Sequence, residues 1–154
     1  MKAIKLWIGV SRPLADLRYD LVFDVGDRLW RVQCKWAVRQ EEVVLVRCYT
    51  NRRTRDGMLT RRYADGEIDA FAAYCLELNR CYFLPFHAFG GRRLVHLRLA
   101  PSRNNQKAGI HWANDWEFDA TLGAPGAVAQ LGERLDGIQK ARGSSPLGST
   151  SESR

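Results

Sequence analysis

The chain has 154 residues, of which 45% are hydrophobic and 27% are charged, a composition typical of a single globular domain rather than of a disordered protein. No apolar run approaches the roughly 18 residues of a membrane-spanning helix, and the first ten residues lack the long apolar stretch of a signal peptide. The net charge of +7 favours a polyanionic partner such as nucleic acid.

The four cysteines show no spacing typical of a zinc site. They stand at positions 34, 48, 75 and 81, and three of them lie in apolar sequence, where a free cysteine behaves as a small hydrophobic residue. We therefore expect reduced thiols and a cytoplasmic protein.

The predicted elements before residue 123 are mostly strands. In chain order we predict strands over residues 5–10, 20–25, 28–36, 43–49, 70–75, 81–85 and 95–99, a polar loop over residues 50–66 and a helix over residues 108–118. Strands that outnumber helices in this way predict a mixed α/β (α+β) domain built on one sheet.

Gly26 and Asp27 separate two runs of alternating apolar and polar residues, which predicts a hairpin with a two-residue turn. The resulting register places Leu21 opposite Val32 and gives one apolar face, on which Cys34 and Trp36 are also expected to be buried. The other face carries Asp20 opposite Gln33, with Lys35 two residues further along.

This register brings a carboxylate, an amide and an ammonium group into one cross-strand neighbourhood. Oxygen ligands suit Mg²⁺, so Asp20 and Gln33 are candidate metal ligands. Lys35 is a candidate for orienting a water or stabilising charge on a phosphate. An ordinary solvated strand face with an Asp–Lys pair remains the alternative.

Two cationic segments are candidate DNA contacts. The first is expected to contact the DNA phosphates, and a solvated loop is the alternative. It contains Arg52, Arg53, Arg55, Arg61 and Arg62. The second predicts contacts with phosphates or base edges, or else a helix cap and turn, and contains Arg103, Asn104, Asn105 and Lys107. Between the two segments, Asp65, Glu67 and Asp69 would supplement a metal site or serve as turn residues.

Three segments of the sequence resemble the PD-(D/E)XK endonuclease superfamily, in particular its group I intron-associated, homing-type members. They are YDLVFDVGDRLWRVQCKWA, GEIDAFAAYCLELNRCYFLP and RLAPSRNNQKAGIHWANDWEF. The resemblance implies a restriction-endonuclease-like mixed sheet with flanking helices, which cleaves double-stranded DNA with Mg²⁺ or Mn²⁺. By position, Asp20 matches the metal-binding aspartate of the motif, Gln33 stands where an acidic residue usually lies, and Lys35 is the motif lysine.

The same resemblance raises a second expectation. Members of this family usually open with a glutamate-bearing helix, but the first 21 residues contain no glutamate, so this helix is expected to be missing. A catalytically impaired or truncated DNA-binding remnant is therefore the alternative function, and a small basic RNA-binding protein is a weaker third one. A homo-oligomer is also expected, since cutting both strands with one site per chain needs two chains.

The composition changes after residue 122. A Gly-Ala-Pro-Gly breaker at residues 123–126 is followed by a short helical pattern around residues 128–138 and then by a Gly/Ser/Pro-rich end. We predict a nuclease-like domain over residues 1–122 and a flexible tail over residues 123–154. The tail sequence is also compatible with translation of a neighbouring transfer-RNA gene.

Overall fold

A computed structural model describes residues 2–101 and 109–123. In chain order the elements are α1 (Lys2–Lys5), β1 (Gly9–Ser11), β2 (Leu21–Val25), β3 (Arg28–Gln40), β4 (Val43–Arg47), β5 (Tyr49–Thr54), β6 (Gly57–Arg62), β7 (Ala70–Cys75), β8 (Arg80–Pro85), α2 (Phe86–Phe89), β9 (Leu94–Arg98), a 3-10 helix (Ala113–Trp116) and α3 (Phe118–Leu122). No helix within these residues is long and apolar enough to cross a membrane.

The long strand β3 organises a seven-stranded sheet in the described part of the chain. It pairs with β2 at its start, in parallel with β7 along its middle and with β4 at its end. The strands β1, β8 and β9 extend the sheet by antiparallel pairing with β2, β7 and β4. This mixed sheet with few helices is the predicted fold class, and β5 and β6 form a separate two-stranded ribbon.

Each face of the sheet carries its own core, because successive side chains of a strand point to opposite faces. On one face Phe23, Trp30, Phe83 and Phe118 pack ring against ring. The opposite face, here called the site face, has a core that includes Val44, Val46, Tyr63, Phe71 and Leu97. Asp20, Gln33 and Lys35 belong to the site face.

The hairpin register is confirmed, but the burial predicted for its far end is wrong. Leu21 pairs with Val32 and Val25 with Arg28, as expected. Cys34 and Trp36 were expected in the core, yet both are exposed, and the Trp36 side chain is 71% accessible. They border an apolar groove of about 380 Å³, which Ala3 of α1 and Phe118 of α3 also line.

Three predicted elements also differ from the structure. The strand predicted over residues 5–10 is a helical turn followed by β1, and the loop predicted over residues 50–66 contains β5 and β6. The helix predicted over residues 108–118 is replaced by the 3-10 helix and α3. The helical pattern at residues 128–138, and with it most of the predicted tail, lies outside the described residues, so the boundary at residue 122 stays a prediction.

Candidate active site

The hairpin fixes the positions of the three candidate residues. Gly26 has a φ of 68°, a left-handed conformation that glycine adopts readily and that lets β3 return directly beside β2. The backbone N–H of Asp20 donates to the carbonyl of Val32 at 3.0 Å, so the strand pairing continues one residue beyond β2. Asp20 is thereby held opposite Gln33.

The carboxylate of Asp20 is held by neutral N–H donors. Its Oδ2 accepts the backbone N–H of Cys34 at 2.8 Å and the side-chain amide N–H of Gln33. Among the described residues no lysine, arginine or histidine forms an ion pair with it. Asp20 is exposed, so its negative charge is available to a cation from solvent.

Lys35 lies on the same face and is held by two oxygen atoms. Its Nζ donates to the Tyr49 carbonyl and to the Tyr63 hydroxyl, each at 3.0 Å. Burial lowers the pKa of Lys35, while the nearby charge of Asp20 acts in the opposite direction. The ammonium is therefore a partly desolvated cation beside an uncompensated carboxylate.

Two further residues, Tyr63 and Arg18, lie around Lys35 and were not predicted from the sequence. Tyr63 follows β6, and burial raises the pKa of its hydroxyl to about 12, so the phenol is neutral near pH 7. The guanidinium of Arg18 lies 4.4 Å from the Tyr63 ring centroid and 3.4 Å from a carboxylate oxygen of Glu67. The only available signals were that Tyr63 borders the arginine cluster and that Arg18 precedes Asp20 by two residues.

Two carboxylates of the acidic cluster over residues 65–69 have arginine partners. Glu67 pairs with Arg18 and Arg61, and Asp69 pairs with Arg28 and Arg31. These carboxylates are neutralised by arginines, which argues against the expectation that they supplement a metal site.

The predicted DNA-binding residues divide between described and undescribed parts of the chain. The arginines Arg52, Arg53, Arg55, Arg61 and Arg62 are exposed on the β5–β6 ribbon and its turn. The second set, Arg103, Asn104, Asn105 and Lys107, lies outside the described residues. The structure therefore bears only on the first set.

The donor set suits a hard cation more than a soft one. Among the described residues no group of three or more histidine, cysteine, aspartate or glutamate side chains gathers at one point. Asp20 offers a carboxylate oxygen and Gln33 an amide oxygen, once the amide turns from its present donating orientation. Mg²⁺ is typically bound by one or two carboxylates together with waters and substrate phosphates, and this pair fits that description.

Comparison with known proteins shows the family of the chain. The PD-(D/E)XK endonuclease family matches residues 1–119. Among solved structures, the bacterial homing endonuclease I-Ssp6803I is similar, with a TM-score of 0.60 and 26% sequence identity over 91% of this chain and 88% of that one. No curated protein matches the sequence. The family match spans most of the chain, including the hairpin, and the chain therefore belongs to the PD-(D/E)XK endonuclease family.

Proposed function

We propose that the protein is a metal-dependent endonuclease that hydrolyses phosphodiester bonds of double-stranded DNA. The observation that carries this proposal is the uncompensated Asp20 carboxylate beside Gln33, with the Lys35 ammonium on the same face. Family membership supports the nuclease activity, and the similar homing endonuclease supports DNA as the substrate.

Asp20 and Gln33 would hold Mg²⁺ or Mn²⁺. Such an ion polarises a phosphoryl oxygen and lowers the pKa of a bound water. Asp20 supplies the negative charge, and Gln33 supplies a neutral oxygen without adding a second charge. The backbone N–H of Cys34 donates to the Asp20 Oδ2 at 2.8 Å and so limits rotation of the carboxylate.

Lys35 would act on the scissile phosphate or on the attacking water. An ammonium has three N–H donors, and two of them are taken by Tyr49 and Tyr63. The third is left for an oxygen of the substrate or for a water. A partly desolvated cation stabilises developing negative charge more strongly than one in bulk water.

The β5–β6 ribbon would bind the DNA backbone. Cross-strand pairing places Arg53 and Arg62 on one face of the ribbon and Arg52 and Arg61 on the other, while Arg55 lies in the turn. A ribbon resting flat on DNA needs cations on one face only, whereas a ribbon inside a groove meets a phosphate wall on each side. The major groove admits a two-stranded ribbon, so we propose that β5–β6 enters it.

The second cationic segment would add further contacts. Arg103, Asn104, Asn105 and Lys107 remain proposed DNA contacts on the strength of their sequence alone. A homo-oligomer remains proposed as well, because each chain brings one Asp20–Lys35 site and a double-strand break requires two.

Plasmid nicking tests this proposal directly. Supercoiled plasmid is incubated with Mg²⁺ or Mn²⁺ and wild-type protein, Asp20→Asn, Lys35→Met or Asp24→Asn. We expect metal-dependent nicking by the wild type, a loss of about 100-fold or more in the Asp20 and Lys35 variants, and no loss in Asp24→Asn. Asp24 is the matched control because it is an exposed aspartate of β2, the strand that Asp20 directly precedes, and lies on the same face.

A DNA-binding protein without cleavage is the second candidate function. It is favoured by the single carboxylate that the described part of the chain brings to the site. Salt-sensitive DNA binding by wild-type protein that nicks with neither metal would establish this second function and reject the first.

A further inference from the structure

We propose that Tyr63 is a positioning residue for Lys35, a role that rests on the proposed nuclease function. The Tyr63 side chain is 4% exposed, and its ring packs edge-to-face against Phe71 with the centroids 5.3 Å apart. Its hydroxyl accepts a hydrogen bond from the Lys35 ammonium at 3.0 Å. A rigidly packed ring therefore carries the atom that holds the lysine.

The distances distinguish how the two cations contact this ring. Arg18 lies over the ring, 4.4 Å from the centroid, where the negative face of the aromatic system attracts it. The Lys35 Nζ is 5.0 Å from the centroid but only 3.0 Å from the hydroxyl oxygen. The ammonium is therefore at the hydroxyl end of Tyr63, and its contact is a directional hydrogen bond.

A second fixed acceptor completes the arrangement. The Tyr49 carbonyl lies 3.0 Å from the same Nζ, and Tyr49 is paired with Arg62 at the base of the ribbon. A backbone carbonyl and a side-chain hydroxyl, both at the base of the ribbon, fix two of the three N–H directions, and so fix the third. With the Tyr63 hydroxyl removed, the Lys35 ammonium keeps only one of these two hydrogen bonds, that to the Tyr49 carbonyl, and is free to rotate about it.

Packing alone does not require this hydroxyl. A phenylalanine would keep the ring contacts with Phe71 and Arg18, and a buried hydroxyl costs free energy unless it is hydrogen-bonded. The Tyr63 hydroxyl is bonded to Lys35, which is itself partly desolvated. The hydrogen bond offsets the cost of burying the hydroxyl, and what the pair adds beyond packing is the direction of the ammonium.

The kinetic test uses Tyr63→Phe with Tyr74→Phe as the matched control. Tyr74 also loses a hydroxyl hydrogen bond, which it makes to Asn79 at 3.1 Å, away from Lys35. Cleavage of a plasmid is followed in single turnover with Mn²⁺ at saturating protein, and binding of a 30-base-pair duplex is measured in Ca²⁺. For Tyr63→Phe we expect a rate about tenfold lower, because small misplacements of reacting groups are costly, with unchanged Kd and unfolding temperature. A Tyr63→Phe rate within twofold of wild type would overturn the proposal, as would an equal loss in Tyr74→Phe.

A spectroscopic test separates this proposal from the nuclease proposal. A lysine ammonium held by hydrogen bonds exchanges its protons slowly enough to give a ¹H–¹⁵N signal, and Lys35→Met identifies which signal is that of Lys35. We expect the signal in wild-type protein and its loss in Tyr63→Phe. Absence of the signal in wild-type protein, or its persistence in Tyr63→Phe, would refute the proposal that Tyr63 positions Lys35, whatever the result of the plasmid assay. If no variant nicks DNA while the signals behave as expected, the nuclease proposal alone fails.

Discussion

Asp20 and Asp69 stand at the start of the antiparallel and the parallel neighbour of β3 and differ in how their charge is met. Each residue directly precedes a strand that pairs with β3, and each carboxylate accepts a backbone N–H of β3 at 2.8 Å, from Cys34 and Arg31 respectively. Asp69 also accepts two bonds from the Arg31 guanidinium, at 2.9 and 3.1 Å, and lies 3.6 Å from Arg28. Asp20 accepts a further bond from the neutral amide of Gln33 and forms no ion pair with any residue that the structure describes.

This difference separates a structural carboxylate from a functional one. The Asp69 side chain is 15% exposed and fully paired, so it joins β3 to the start of β7. Asp20 is exposed and keeps its charge for a cation that arrives with the substrate. The comparison teaches that the partners beyond the shared backbone N–H bond distinguish the two carboxylates beside β3.

Neutralising Asp69 should therefore lower the stability of the fold much more than neutralising Asp20. Asp69→Asn removes the charge from a bidentate arginine pair, so we expect the free energy of unfolding to fall by about 2 kcal/mol. Asp20→Asn should change it by less than about 0.5 kcal/mol, as for other exposed positions. Urea denaturation at pH 7 measures both, and an equal loss in the two variants would contradict the division of roles.

Acid pH provides an independent check on Asp69. Burial raises its pKa, but the hydrogen bonds from Arg31 and the charges of Arg31 and Arg28 outweigh this effect, and the pKa lies below its usual value of 3.8. The stabilisation is complete above that unfolded-state value and is lost as the pH falls through the lower folded-state pKa. We therefore expect wild type and Asp69→Asn to differ less in stability at pH 3 than at pH 7.

Gln33→Glu converts the neutral neighbour of Asp20 into a second anion. Without a cation, the two carboxylates repel each other. With a cation, they bind it more tightly than one carboxylate and an amide do, since affinity rises with the charge of the ligands. We expect a lower unfolding temperature in EDTA and about tenfold tighter Mn²⁺ binding by isothermal titration calorimetry, as an estimate from ligand charge. Asp24→Glu is the control, and unchanged Mn²⁺ affinity in Gln33→Glu would argue against a metal at this position.

The sequence predicts the site hairpin well because its signals are local. A Gly-Asp turn between alternating runs specifies the register, and the register alone brings Asp20 beside Gln33. The register does not predict which elements cover a face of the sheet. For this reason the prediction that Cys34 and Trp36 are buried is wrong. Burial depends on elements distant in the chain, and no periodicity within β3 reports on them.

The ribbon and the surroundings of Lys35 escaped prediction for a related reason. Strands β5 and β6 are exposed along most of their length, so they lack the apolar alternation by which a half-buried strand is identified. Tyr49 begins β5 and Tyr63 directly follows β6, so both reach Lys35 from the base of this ribbon, across 14 and 28 residues of sequence. Such contacts follow from how the ribbon packs against the sheet.

The contrast between paired and unpaired charges extends to the arginines. Arg61 forms an ion pair with Glu67, whereas Arg52 forms none with any described residue. For duplex DNA the slope of log Kd against log salt changes by about 0.9 for each phosphate that a cation neutralises. We expect Arg52→Gln to reduce the slope by about that amount, and Arg61→Gln to reduce it by less, because Glu67 already offsets its charge.

A 30-base-pair duplex titrated in Ca²⁺ between 50 and 300 mM salt, as a range set by the expected screening, measures these slopes. Arg39→Gln is the control, since Arg39 lies near the far end of β3 and pairs with Glu42. Equal slopes for wild type and Arg52→Gln would remove the ribbon from the DNA interface. A larger reduction of the slope in Arg61→Gln than in Arg52→Gln would mean that DNA displaces Glu67 from Arg61. The rule drawn from Asp20 and Asp69, that a paired charge is a structural one, would then fail for the ribbon.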